Sequence, residues 1–513
     1  TCAVQGGTTQ SVSSPYVDVV IFAGQSQSNS NGTTGTDMPT ALQNPLSNCL
    51  TWDPFGKTWQ TYQAGVTSAL HLKGGKYPDL SVNYWGMEAE YLRMWQEQNP
   101  GVPIYLIKKG HASTSLDQGA RVANRGCWDP NLAGDLFDEL VSWVADACAN
   151  IRAMGKTPRV RCFNWIQGEA DAGTSATANA YQTNLTNFIN AVRTRVDSMA
   201  GAMFIISRIQ TNTWAFPAPV RTAQEAVAGS VSNCRWFSAD TAALAADNTH
   251  YNASGCVDLG RRCYDAGMSG QEILNRYLGR MNVQPNSTRQ GQLLTLFNSL
   301  TSNSVWASIS SMQLYASHDQ QSALVSASYV ALNSTLSNET FAVDRGFTGS
   351  GSGSHIDTGF TPANSDVRYH TLDNSQSIWI RSKPTSGIDV GAFTSGAIVL
   401  NADTPTMLVR NNAASDTNNS KTTTKNTGFF TMARLGATDS RIYMDGAQVG
   451  TPADSPYAAL PSGTLWVGDR SGGTSTPTTA QYSAFLTGHS RTATQEANLY
   501  AALSSYLQSI GAA

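Results

Sequence analysis

Residues 18–23 (Asp-Val-Val-Ile-Phe-Ala) are apolar at every position after the first. A strand with one wet face alternates apolar and polar side chains. An unbroken apolar run instead marks a strand buried on both faces, as in a parallel sheet covered by helices. This run leads directly into Gly24, Gln25 and Ser26, so the buried strand ends on a turn that carries a hydroxyl. Further strand runs lie at 103–108, 160–166, 202–209 and 235–239. Helical patterns separate them at 86–98 and 178–199, and at Leu136, Leu140, Trp143, Val144, Ala147 and Ile151. Strands alternating with helices predict an α/β sandwich around a parallel sheet.

The pattern changes beyond Cys263. Residues 266–304 read as a connector with a Pro-Asn-Ser-Thr linker and a helical stretch. From 305 to 513, short β runs at 377–380, 397–399, 428–434, 441–444 and 464–467 alternate with Gly, Asn, Ser and Thr clusters, which predicts an all-β sandwich. The tail 492–510 reads as a helix. Residues 1–16 read as an irregular leader, and the α/β domain as 17–265. With no initiator Met, Thr1 reads as following a processing or trimming point.

Only 13% of the 513 residues are charged and the net charge is −3. That balance argues against nucleic-acid and anionic-membrane partners. No run of 18 apolar residues is present to span a membrane. The eight cysteines (2, 49, 127, 148, 162, 234, 256 and 263) never take Cys-x-x-Cys spacing, so no metal is expected at them. Their even number permits up to four disulfides and an oxidising compartment; free buried thiols are the alternative. Residues 349–354 (Gly-Ser-Gly-Ser-Gly-Ser) lack the Lys-Ser/Thr ending of a phosphate loop and read as a flexible loop.

The polar groups expected at the carboxyl ends of the strands carry the chemistry. Ser26 is the candidate nucleophile, with Ser28 and Ser30 as alternatives in the same turn. The Gly-x-Ser-x-Gly elbow is absent. His250 is the candidate base, with Asp247 three residues before it to orient the ring. Such a base predicts a rate that falls in acid as the ring protonates. Residues 165–171 (Trp-Ile-Gln-Gly-Glu-Ala-Asp) offer Gln167 as an amide donor to a developing oxyanion. Glu169 could orient His250 in place of Asp247, and otherwise reads with Asp171 as a loop carboxylate. Residues 108–116 leave the second buried strand at the same edge, with Lys108, Lys109 and His111 expected to be solvated or to face substrate.

These blocks resemble the SGNH/GDSL hydrolases, and more closely the branch of sialate O-acetylesterases and carbohydrate acetylesterases. The matching residues are Gly24-Gln25-Ser26, Ala112-Ser113-Thr114-Ser115, Gln167-Gly168-Glu169-Ala170-Asp171 and Asp247-Asn248-Thr249-His250-Tyr251, in the family's order. The resemblance implies a three-layer α/β/α sandwich and a catalytic Ser26, His250 and Asp247. It implies an oxyanion hole from the Ser26 N–H, a second backbone N–H at Ala112 and the Gln167 side chain. Gln25, Ser113 and Glu169 would support them, and no metal or cofactor is implied. Two departures stand out: the family's Gly-Gly is Ala112-Ser113 here, and its Asn after Gly-Gln-Ser is Gln27.

Residues 341–349, 356–360 and 466–470 resemble concanavalin-like (laminin-G-like) jelly rolls, found on phage tail proteins and secreted bacterial enzymes. Together the resemblances imply an O-acetylesterase acting on an O-acetylated polysaccharide outside the cell or on a virion tail, trimeric in the latter case. A non-catalytic glycan-binding or tail structural protein is the alternative. A lipase-like or thioester hydrolase is disfavoured because no long apolar lid lies near Ser26.

Overall fold

The computed structural model describes residues 15–29, 33, 37–77, 83–211, 214–328, 332–364, 369–394, 396–413, 420–452, 457–472 and 474–512. The leader up to residue 14, Cys2 and Ser30 lie outside the described residues. The chain forms two compact units, one of residues 1–234 and 244–256, the other of 235–243 and 257–513.

The first unit is built on the strands β1 (Tyr16–Gly24), β2 (Leu46–Asp53), β3 (Thr58–Tyr62), β4 (Ile104–Gly110), β5 (Thr157–Ile166) and β6 (Met203–Arg208). Their order is β3-β2-β4-β1-β5-β6, parallel throughout except for the β2–β3 hairpin at the edge. The helices are α1 (Ser26–Asn29), α2 (Met87–Gln98), α3 (Leu136–Ala153), α4 (Ser175–Arg195) and α5 (Pro217–Ser230). The strand Cys234–Ser238 follows them.

Register shows that helices cover both faces of the sheet. Neighbouring residues in a parallel register point the same way, and successive residues point oppositely. Phe22 of β1 stacks edge-on against Tyr91 of α2 at 5.5 Å. Ala23 is in register with Trp165, and Ile21 with Phe163. Those two rings face the other way and pack on Phe188 of α4, which also meets Phe137 of α3. The result is three layers. It also explains why β1 reads as an unbroken apolar run: Val19 through Ala23 are fully buried.

The second unit holds two antiparallel sheets. One includes Asn374–Ser382, Gly428–Arg434, Ser440–Met444 and Gln481–Gly488; the other includes Val390–Phe393, Ala397–Asn401 and Thr406–Ala413. Alternate residues fill the core between them, as with Ile378 and Ile380, Phe430 and Met432, Ile398 and Leu400, and Met407 and Val409. The Pro-Asn-Ser-Thr stretch is a helix start rather than a bare linker, since Asn286 caps the helix Ser287–Ser302 by accepting from the Arg289 N–H. The closing helix is Ala493–Ser509, capped reciprocally by Thr492 and Gln495.

The seven described cysteines are buried, and no disulfide joins any two of them. No helix of the described residues is long and apolar enough to cross a membrane.

Candidate active site

The turn that carries Ser26 depends on a backbone only glycine tolerates. Gly24 has φ +144°, and a Cβ there would sit 2.0 Å from the Ile166 carbonyl oxygen. With no side chain at Gly24, the Gln25 N–H reaches that same carbonyl at 3.0 Å, and the Gly24 carbonyl accepts from the His111 N–H at 3.0 Å. The carboxyl ends of β1, β4 and β5 are thereby bound together, and Ser26 starts α1 at their junction.

Three features distinguish Ser26 from its neighbours. It is 7 % exposed. Among the described residues its N–H donates to no other group, as expected at the first position of a helix. Ser28, by contrast, spends its hydroxyl on the Gln25 carbonyl at 2.7 Å. Gln25 extends the junction further, its Oε1 accepting from the Ala170 N–H at 3.2 Å.

His250 lies in the loop that returns to the first unit at 244–256. Its Nδ1 is 2.6 Å from Asp247 Oδ2, and Asp247 Oδ1 accepts from the backbone N–H groups of Thr249 and His250. Burial pushes the Asp247 carboxyl up. The hydrogen bonds from the His250 ring and from the two backbone N–H groups, with the His250 charge, outweigh it and hold the carboxyl at about 2. An ionised carboxylate only accepts, so Nδ1 carries a ring hydrogen, and in the neutral ring the lone pair lies on Nε2. Asp247, not Glu169, therefore orients this histidine.

Gln27 brings the serine and histidine segments together. Its Nε2 donates to the Thr249 carbonyl, and its Oε1 accepts from the Tyr251 N–H at 3.3 Å. One amide thus grips the chain on both sides of His250, from the residue next to Ser26. Sequence reasoning registered Gln27 only as a departure from the usual Asn; its partners lie more than 220 positions away.

The loop after β4 supplies the other backbone donor. Ser113 has φ +58°. It adopts the left-handed backbone that the family's glycine would supply, at a cost of roughly 1–2 kcal/mol for an L-residue. Ala112 keeps an ordinary φ, and its N–H, like that of Ser26, donates to no other group among the described residues. Two backbone donors are therefore available to an oxyanion.

Gln167 serves differently from the expectation. Its Nε2 donates to the Thr114 carbonyl at 3.1 Å and to Asp171 Oδ2 at 2.6 Å, and its Oε1 accepts from the Tyr181 hydroxyl at 3.0 Å. Both amide hydrogens are engaged within the protein, so this side chain braces the loop and offers nothing to an oxyanion. Asp171 completes the brace by accepting from the N–H groups of Leu116 and Asp117 at 3.0 and 2.8 Å. Burial pushes Asp171 up to about 6, against the lowering effect of these bonds. Gln224 donates to the Gln167 carbonyl at 3.0 Å. Sequence reasoning passed over Tyr181 and Gln224, because neither stands in a motif.

Glu169 is buried, and its Oε2 has no hydrogen-bond partner among the described residues. Burial raises its carboxyl to about 7, with the Asp171 charge adding to the rise against one backbone hydrogen bond. Lys108, Lys109 and His111 are 3, 4 and 5 % exposed, contrary to the solvated or substrate-facing expectation. Strand alternation sends Lys108 to Glu88 of α2 and Lys109 to Glu139 of α3, each at 2.7 Å. Burial lowers Lys109, against the pull of Glu139.

Comparison with known proteins gives a family match over the first part of the chain. Residues 16–269 match the family model described as carbohydrate esterase, sialic acid-specific acetylesterase. No curated protein matches the chain. Among solved structures, a protein of Arabidopsis thaliana is 19% identical over 49% of this chain and 97% of its own, with a TM-score of 0.40. The crystal structure of NanS is 14% identical over 45% of this chain and 79% of its own, with a TM-score of 0.32. A Trypanosoma rangeli sialidase mutant is 11% identical over 39% of this chain and 34% of its own, with a TM-score of 0.32.

Proposed function

We propose, from the membership of residues 16–269 in the carbohydrate esterase, sialic acid-specific acetylesterase family, that this chain removes O-acetyl groups from a polysaccharide through an acetyl-enzyme on Ser26. The observation that carries the assignment of residues is the Gln27 amide, which holds the His250 loop on both sides from the position next to Ser26.

In this reading His250 Nε2 takes the Ser26 proton as Oγ attacks the acetyl carbonyl. Asp247 accepts from Nδ1 and stabilises the imidazolium that forms. The N–H groups of Ser26 and Ala112 receive the developing oxyanion. The proton then passes to the departing sugar hydroxyl. Water activated by the neutral ring hydrolyses the acetyl-enzyme and restores Ser26. An acetyl group fills little space, so the glycan surroundings carry most of the specificity. A weakly charged surface, with 13% charged residues, suits glycan work outside the cell or on a virion tail.

The test is acetate release from a panel of O-acetylated polysaccharides by the wild type and by Ser26→Ala. Release confined to the wild type, with the variant folded, supports the assignment. Equal release from both removes Ser26. No release from either favours the glycan-binding alternative.

A further inference from the structure

Outside the candidate active site, the second unit buries a cluster that no step of the proposed chemistry uses. Asp258 on the helix Ala253–Ala266 meets His370 and His489 from the sandwich. One ligand atom from each lies within 4.8 Å of the others. His370 Nε2 is 3.1 Å from Asp258 Oδ2, and His489 Nε2 is 3.8 Å from Asp258 Oδ1. Ligands held 2.0–2.2 Å from a tetrahedral zinc stand roughly 3.4 Å apart, so these spacings already fit.

His489 carries the argument. It is 3 % exposed, and its Nε2 has no hydrogen-bond partner among the described residues. Its Nδ1 is fixed by Asp373 Oδ2 at 2.9 Å. Asp373 is itself oriented by the Thr241 hydroxyl at 2.8 Å and by the Ser490 N–H and hydroxyl at 2.7 and 2.6 Å. A carboxylate on one imidazole nitrogen, leaving the other aimed at a shared point, is the arrangement that orients a metal-binding histidine.

Charge points the same way. Among the described residues, the cation paired with the Asp258 and Asp373 carboxylates is Arg262, which binds Asp258 at 2.7 Å and lies 3.9 Å from Asp373. Counted over the described residues with both imidazoles neutral, two carboxylates against one guanidinium leave the cluster one positive charge short. A small cavity lined by Trp236, Ser238, Ser304, Ser308, Arg262 and His489 adjoins it, with room for a water as fourth ligand.

We infer that Asp258, His370 and His489 form a structural site for a zinc-type divalent cation, with Asp373 as the outer partner of His489. The donor set of two imidazoles and one carboxylate suits zinc over magnesium or calcium, which take oxygen ligands. A proton on His489 would supply the missing charge instead, and metal titration separates the two.

The full chain, freed of any histidine tag and stripped with chelator, is titrated with zinc chloride at pH 7.5. Binding is followed by a competing chromophoric chelator and by thermal melting, and cobalt chloride reports geometry through its visible bands. One equivalent of zinc is expected, with a raised Tm and tetrahedral cobalt bands. His489→Gln should abolish uptake, and Asp373→Asn should weaken it about 10–100-fold. Should His489→Gln fail to fold, His370→Gln decides, because that ring is only partly buried; its binding must fall at least about tenfold. No stoichiometric uptake by the wild type, or unchanged uptake in the folded variants, overturns the site.

Discussion

Ser113 and Glu169 both hold states that their chemistry disfavours. Ser113 sits at φ +58°, where glycine would relieve roughly 1–2 kcal/mol of left-handed strain but return some of it as unfolded-chain entropy. Ser113→Gly is therefore expected to stabilise the protein by about 0.5–1 kcal/mol, read from urea midpoints, with acetate release unchanged. Glu169 is buried and raised to about 7, against about 4.3 in the unfolded chain. Between those values the folded state holds a proton that the unfolded state has released, so stability falls as pH rises through this window. The loss is about 3–4 kcal/mol by pH 8, in order of magnitude. Glu169→Gln should flatten the stability profile between pH 4.5 and 7, leaving a smaller fall from Asp171, which is raised to about 6. A variant profile as steep as the wild type's would sink this account of Glu169.

At the scale of elements, local pattern made some parts legible and long-range pairing hid the rest. β1 was readable because both its faces are buried, and Asp247 with His250 because three residues of spacing suffice for the contact. The β2–β3 hairpin went unread: it lies at the sheet edge, and its mixed burial breaks clean alternation. The helix Pro217–Ser230 did carry signals, a proline in its first turn and buried Val220, Ala223, Gln224 and Val227 at helical spacing. The lysine pair was misjudged because its partners Glu88 and Glu139 stand on separate helices. Gln167 looked like a free donor because the sequence could not show Thr114, Asp171 and Tyr181 converging on its amide. Gln27 was hidden in the same way. As the tie between the α1 turn and the His250 loop, it should be sensitive to truncation. Gln27→Ala is expected to lower kcat/KM by about 10²-fold through misplacement of the base, with the global fold intact by circular dichroism. Wild-type kinetics in a folded Gln27→Ala would remove it from the positioning of His250.

For the whole molecule, the family match over residues 16–269 takes in the described α/β unit together with residues 235–243 and 257–269 of the second unit, and the β-sandwich strands follow it in sequence. The central claim is that Ser26 is the nucleophile activated by His250. Covalent trapping tests it most directly: the protein is treated with a fluorophosphonate, digested, and its peptides are read by mass spectrometry. A single adduct on Ser26, lost in His250→Ala, is the expected result. An adduct on another serine, or equal labelling of Ser26 without His250, would contradict the claim.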